Sequence, residues 1–483
     1  MIMLHLQTLW RRTSSLPVRR VPAAGARNHS HPAPAAPGCA FLCVLVAIVL
    51  PTAASRAQDT NTPALQDTNT PSFQYSTTPV FSQAVETNFP PLPAPTYVPQ
   101  NVPAPPLTGT RQGYVPSAVP LPALPPLLRW GPLMVQPHLF YSLSYGSGIQ
   151  ASPGQLTSSF VNEVDPGILL RWGDHWTLDY TPILRFYSGS GLQNTFDNTV
   201  SLNGGARYED WTFGLSQIYA SSSDPIIETG AQTDQQTLST LLSAIYQISS
   251  KSSLQLGAGQ DLRFASQTTS GEQLNNYNDW STMDWLSYQF WSRFGAAIGA
   301  GFSYYSVQAG TDMTSEQIQA RITWVVVRKL SLVLSGGGQD TQFLGSGAPN
   351  LISPVYSLSL QYSPFDTTTL SLSGYGGVSP AYFQDQVSLS TSISAGVHQR
   401  LLGRLSLDLN GGYNTSTYHS TTSGSTSASS GNYDSSFFAA RLGTPFLKRG
   451  TADVFYSVNF NSSGATIYNY TTTMVGLELT YRY

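Results

Sequence analysis

Along the second half of the chain, ionisable side chains sit at alternate positions of otherwise apolar runs. WTLDYTPILRF (176–186) sets Thr177, Asp179, Thr181, Ile183 and Arg185 on one face, against Trp176, Leu178, Tyr180, Pro182, Leu184 and Phe186 on the other. LQLGAGQDLRF (254–264) repeats the design, with Asp261 and Arg263 against Leu254, Leu256, Ala258, Leu262 and Phe264. The same phase collects Arg171, Arg207, Arg321, His398, Asp408, Glu478 and Arg482. A charge at every second position is costly in a dry core and natural beside water, so this face is expected to line a wet lumen. Arginines outnumber carboxylates six to four in the set, a slight leaning toward anions.

Catalysis would need more than charge. A hydrolase places a histidine beside a serine and an orienting polar group. His138 and His398 share the wet face, His175 falls in a short turn and His419 in the loop YHSTTSGSTS. No serine elbow accompanies them, and the many serines are loop composition. No residue is therefore assigned a catalytic role, and the chain is not expected to be an enzyme. Metal spacings such as His-x-x-His are missing from the sequence, so neither metal nor cofactor is expected. Calcium at Asp312 and Glu316 of GTDMTSEQ is the alternative there. GGGQD (336–340) lies in a strand-like run and not in a strand-to-helix phosphate loop.

The elements that must carry these residues follow from composition. The 483 residues are 10% charged and 41% hydrophobic, with 2 Cys and a formal net charge of -3. Soluble domains run near a quarter charged, and the weak net charge argues against a nucleic-acid partner. Residues 1–57 read as a signal peptide: five arginines from Arg11 to Arg27 precede the apolar AFLCVLVAIVL (40–50), and Ser55-Arg56-Ala57 offers small residues for cleavage. Cys39 and Cys43 both fall inside it, so the exported chain would hold no cysteine. Residues 58–132 repeat QDTNTP and then become dense in proline, as in FPPLPAPTYVPQNVPAPPL (89–107). That composition favours an extended periplasmic segment without a packed core.

From residue 133 to 483 the chain is a series of about eighteen alternating runs of roughly ten residues, the length a tilted strand needs to cross a membrane. Sixteen runs is the next choice. The connections alternate between short and long. The short ones are WGDHW (172–176), YEDW (208–211), SSKSS (249–253), WSRF (291–294), VRKL (327–330), SPFDT (363–367), LLGR (401–404) and LKRG (447–450). The long ones include residues 221–236, 267–278, 339–353 and 414–436. Tight turns at one end and long loops at the other are the layout of an up-and-down transmembrane β-barrel, all-β and antiparallel. The last run, VGLELTYRY, puts Val475, Leu477, Leu479, Tyr481 and Tyr483 on one face. Lipid would cover that face, and pairing with the first run, MVQPHLFYSLSY (134–145), would cover its edge. Aromatics at strand ends, among them Trp172, Trp176, Tyr208, Trp211, Trp291 and Tyr362, suit an interfacial girdle.

Over residues 133–483 the chain resembles bacterial outer-membrane β-barrels, and within them the loosely defined group of β-barrel porins. The resemblance implies that the terminal face of Val475, Leu477, Leu479, Tyr481 and Tyr483 is read by the barrel-assembly machinery, and that the chain sits in a Gram-negative outer membrane. The expected function is a channel for ions and small polar solutes, narrowed by an inward-folded loop at 414–436 or 339–353. The alternative is a barrel for envelope assembly or polysaccharide export that docks a periplasmic partner through its Pro-rich segment. A third class is a structural or adhesive barrel with a plugged pore. A homo-oligomer is the other partner to be considered.

Overall fold

The computed structural model describes residues 128–482, apart from 153, 174, 227–228, 230, 268–273, 309, 423–432 and 464–468. The expected signal peptide, the Pro-rich segment up to residue 127 and Tyr483 lie outside the described residues. The elements in chain order are β1 (Leu128–Trp130), β2 (Leu133–Ser152), β3 (Gln155–Trp172), β4 (Trp176–Tyr187), β5 (Thr195–Tyr208), β6 (Trp211–Ser222) and β7 (Pro225–Ile226). They continue as β8 (Ala231–Gln247), β9 (Ser252–Gln267), β10 (Tyr277–Trp291), β11 (Phe294–Val307), β12 (Met313–Val327), β13 (Leu330–Phe343) and β14 (Leu351–Phe365). The last are β15 (Thr368–Pro380), β16 (Gln386–Leu401), β17 (Leu405–Ser420), β18 (Tyr433–Phe446), β19 (Gly450–Ser463) and β20 (Tyr470–Arg482).

Every wall strand pairs antiparallel with the next, and β2 pairs with β20 from His138↔Arg482 to Ser147↔Thr473. The sheet therefore closes on itself as an 18-strand barrel, with β1 and β7 as short additions on β2 and β8. Closure leaves no open ladder edge, which lipid could not satisfy. All eight short turns fall where the sequence places them, and so does the even strand count. Tight connections force the chain into positive φ at Glu209 (52), Leu402 (48) and Leu447 (56), conformations that turns demand and Leu dislikes.

The strands are longer than ten residues, reaching 20 in β2. The extra length comes from segments expected to be loop. β17 runs on to Ser420 and β18 starts at Tyr433, inside 414–436, while β13 and β14 reach Phe343 and Leu351, inside 339–353. NTSTYHS in β17, YDSS in β18 and QDTQF in β13 are mostly polar on both faces, so no greasy-and-wet alternation marks them as strand.

The wall has two characters. Its outer face exposes Leu139, Leu143, Tyr145, Ile298, Ile318, Val454, Val475, Leu477 and Leu479 among many other large apolar side chains. Its inner face buries Ser144, Ser159, Gln255, Ser315, Gln317, Gln339, Ser390, Ser416, Asn459 and Glu478. A soluble barrel would show the reverse, so this is a transmembrane-type barrel. Apolar burial is confined to small clusters. The largest joins Tyr277, Tyr305, Val307, Met313, Phe343, Val378 and Val387, all close to the strand ends opposite the short turns.

Candidate functional site: the lumen wall and its outer mouth

In β3 the buried residues Val161, Glu163 and Asp165 alternate with exposed Phe160 and Ile168, so odd positions face inward. The same test puts Arg171 (β3), Asp179 and Arg185 (β4), Arg207 (β5), and Asp261 and Arg263 (β9) on the inner face. It does so for Arg321 (β12), His398 (β16), Asp408 (β17), and Glu478 and Arg482 (β20) as well. On β20 the outward positions are Val475, Leu477, Leu479 and Tyr481.

Toward the short-turn end these inward residues pair across strands. His138 Nε2 lies 3.3 Å from Asp179 Oδ1, reaching over β3 at Gly167, where any Cβ would collide with the imidazole. His398 Nδ1 meets Asp408 Oδ1 at 2.6 Å, and Arg441 Nη2 meets Glu478 Oε2 at 2.8 Å. Arg321 Nη2 donates to Gln255 Oε1 at 3.3 Å, and its guanidinium stacks 4.2 Å from the Trp285 ring centre.

Toward the long-loop end the interior is more tightly built. Arg185 Nε donates to Glu163 Oε2 at 2.6 Å, and Arg185 Nη1 donates to Asp224 Oδ1 at 2.6 Å and Asp197 Oδ2 at 3.2 Å. One guanidinium thus ties β3, β4 and β5 to the connection between β6 and β7. Ser222 and Ser223 donate to Asp224 and Asp197, which supplies part of the hydrogen bonding a buried charge cluster requires. Asp224 starts a hairpin that folds back through β7 to β8, where Thr233 N donates to the Asp224 carbonyl at 3.2 Å. Gln232 exchanges two hydrogen bonds with the backbone of Gln193, so the β4–β5 connection is held to the same hairpin. The hairpin approaches β2, although β3 to β6 separate them in the wall.

From the other side, the connection Ala381–Asp385 between β15 and β16 crosses to β8, β9 and the start of β10. Arg263 Nη2 donates to the Ala381 carbonyl at 2.8 Å, Asn275 N to the Tyr382 carbonyl at 2.8 Å, and Tyr382 Oη to Gln235 Oε1 at 2.8 Å. The Arg263 guanidinium lies 4.0 Å from the Tyr382 ring centre and 4.5 Å from that of Tyr277. Tyr382 also packs with Ile226 and Leu274, so strap and hairpin meet over the mouth. Of the two segments expected to fold inward, 339–353 contributes Ala348 and Leu351 to the buried mouth cluster. The strap itself was not anticipated. It is short, and its sequence AYFQD carries no mark of a crossing segment.

The sequence set also omits inward residues. Glu163, Asp165, Asp197, Asp279 and Asp453 are buried on the inner face, and Arg441 joins them through its pair with Glu478. With these included, the balance of charge changes with height. Glu163, Asp197, Asp224, Asp261 and Asp279 lie in the outer half with Arg185 and Arg263, while Arg171, Arg207, Arg321, Arg441 and Arg482 share the short-turn half with Asp179, Asp408, Asp453 and Glu478. The arginine excess counted from the sequence therefore does not describe the whole inner wall. The signal for Glu163 and Asp165 was present in FVNEVDP, but valines occupy both faces there and blur the phase. Among the described residues no cluster of His, Cys, Asp or Glu is arranged to hold a metal ion.

No family model matches the chain, and no curated protein matches it either. Solved structures do. The outer membrane protein opdK from Pseudomonas aeruginosa is similar at 11% identity and a TM-score of 0.37, over 72% of this chain and 98% of that one. OccAB3 from Acinetobacter baumannii is similar at 8% identity and a TM-score of 0.38, over 72% and 99%. The siderophore receptor PirA from Pseudomonas aeruginosa gives 6% and 0.39, over 72% and 80%. At such TM-scores the likeness carries no functional weight. The closed even-stranded antiparallel wall, apolar outside and polar inside, is the architecture of bacterial outer-membrane barrels.

Proposed function

We propose that the protein is an outer-membrane channel through which ions and small polar solutes diffuse. The observation that carries this is the inner wall, lined by Ser, Thr, Gln, Asn and paired charges in a barrel of 18 strands. Barrels of 16 to 18 strands commonly enclose an aqueous passage. The strap Ala381–Asp385 and the hairpin from Asp224 set the width of the outer mouth. The final strand, with Val475, Leu477, Leu479 and Tyr481 outward, offers the face that assembly machinery would take up.

Single-channel conductance of the refolded chain in a planar bilayer tests the proposal, with and without residues 58–127. Steady unitary steps in both forms are expected. Tyr382→Ala, which removes the ring and hydroxyl anchoring the strap, is expected to enlarge the step. A silent bilayer with the barrel shown to be inserted, or steps that vanish when residues 58–127 are removed, would overturn it.

A further inference from the structure

The hairpin that begins at Asp224 leaves its mark on the outside of the wall. β6 pairs with β5 as far as Asn198↔Ser221 and with β8 as far as Ser222↔Gln235. It then turns inward, where Asp224 meets Arg185. Beyond that point β6 no longer fills the wall between Phe196 on β5 and Asp234 on β8. A groove of about 510 Å³ lies there, within the roughly 300–1,000 Å³ of small-ligand sites.

Its floor is one outward row read across three strands, Asn198, Ser221 and Gln236, with Phe264 next in the row on β9. The row beneath it, Val200, Tyr219, Leu238 and Leu262, is the margin of the apolar belt. The floor is set by the protein itself. Tyr180 Oη donates to Asn198 Oδ1 at 3.0 Å, which leaves the Asn198 amide nitrogen to donate elsewhere. Asn198 N donates to Ser221 Oγ at 2.8 Å, which leaves the Ser221 hydroxyl hydrogen to give. Asp234, Gln236 and Ser266 are exposed and make no side-chain hydrogen bond to any described residue. Phe196 and Phe264, 63% and 48% exposed, stand on either side.

Amides, hydroxyls and one carboxylate between two exposed rings suit a sugar. Neighbouring sugar hydroxyls can both give and accept hydrogen bonds with such groups, and the C–H face of a sugar ring packs on an aromatic one. The same set does not suit a phosphate. Among the described residues no Lys or Arg faces outward in the outer half, since Arg185 and Arg263 both point inward. Asp234 would repel an anion besides. Position narrows the source: the groove opens sideways, at the outer margin of the apolar belt and one row above side chains that meet acyl tails. We infer that it holds the sugar headgroup of a glycolipid in the outer leaflet, with the lipid's tails against Val200, Tyr219, Leu238 and Leu262. This rests on the outer wall facing lipid, and not on the channel being open.

The test uses the full chain with the photoreactive residue p-benzoylphenylalanine in place of Phe264. A control carries it in place of Phe460, an exposed outward residue near the outer end of β19. Each is folded in phosphatidylcholine vesicles that contain lipopolysaccharide, checked by a heat-modifiable gel band, and irradiated. A sugar-bearing adduct is expected at position 264, several-fold above that at 460. Asn198→Leu combined with Gln236→Leu is expected to lower the adduct at 264 several-fold in a barrel that still folds. Stripping the phosphates from the lipopolysaccharide is expected to leave the yield unchanged, and excess deacylated saccharide to leave most of it. Folded protein that forms no adduct, or equal adducts at both positions, would overturn the inference. So would an adduct lost with the phosphates, which would make the anion the ligand, or one fully displaced by free saccharide. Conductance is read separately, so any of these results leaves the channel proposal intact.

Discussion

Arg185 is surrounded by more negative charge than it can neutralise. Glu163, Asp197 and Asp224 all reach it within 3.2 Å, and all four side chains are buried. Three carboxylates without their cation repel one another and have lost their hydration, so Arg185→Met is expected to cost about 3–5 kcal/mol of barrel stability. Urea unfolding followed by gel mobility measures it. Adding Glu163→Gln, Asp197→Asn and Asp224→Asn to that variant is expected to recover much of the loss, since the repulsion goes with the charges. Arg185 itself was legible in the sequence as an inward charge, because WTLDYTPILRF alternates cleanly. Its partners were not. Glu163 sits in a run with valines on both faces, and Asp224 lies in a segment where nothing in the local pattern says which strand it will meet.

At the scale of the strand, the two faces of β20 set up a direct comparison. Leu477 is exposed on the outer wall and Glu478 is buried on the inner one, one residue apart. Leu477→Arg puts a charge into the apolar belt and is expected to destabilise the folded barrel by about 2–4 kcal/mol. The same urea titration reads it out. Glu478→Gln keeps the size of the side chain and leaves an amide oxygen that can still accept from Arg441, so a smaller loss is expected. Strand existence, order and turn positions were written plainly in the sequence, because period-two alternation and the eight short turns repeat along the whole domain. Strand length was not. The outer thirds of β17 and β18 are polar on both sides, and ladder bonding leaves no trace in such a pattern.

For the whole molecule, the balance of charge along the axis matters more than its total. In the outer half of the interior the carboxylates outnumber the arginines, whereas near the short turns Arg171, Arg207, Arg321, Arg441 and Arg482 are nearly matched by Asp179, Asp408, Asp453 and Glu478. Asp261→Asn removes negative charge from the outer half and is expected to shift the reversal potential in a salt gradient toward anions. Arg321→Gln removes positive charge from the other half and is expected to shift it toward cations. Both shifts should shrink in concentrated salt, since the screening length falls to about 3 Å at 1 M. None of this polarity was legible beforehand, because height along the axis depends on where each strand begins, and the strands were read too short.

The seam between β2 and β20 has a consequence for the order of events during biogenesis. Every other pairing in the wall joins strands that are neighbours in the chain, and each can zip as soon as its hairpin exists. The seam joins residues near 138 to residues near 482, so it cannot form until the final strand has been made and delivered. Until then the growing sheet has two raw edges, one at each end of the meander, and both invite foreign strands. The last dozen residues therefore act as the zipper's slider: a chain shortened by β20 would keep every hairpin up to β19 and still lack the strand that closes it into this tube.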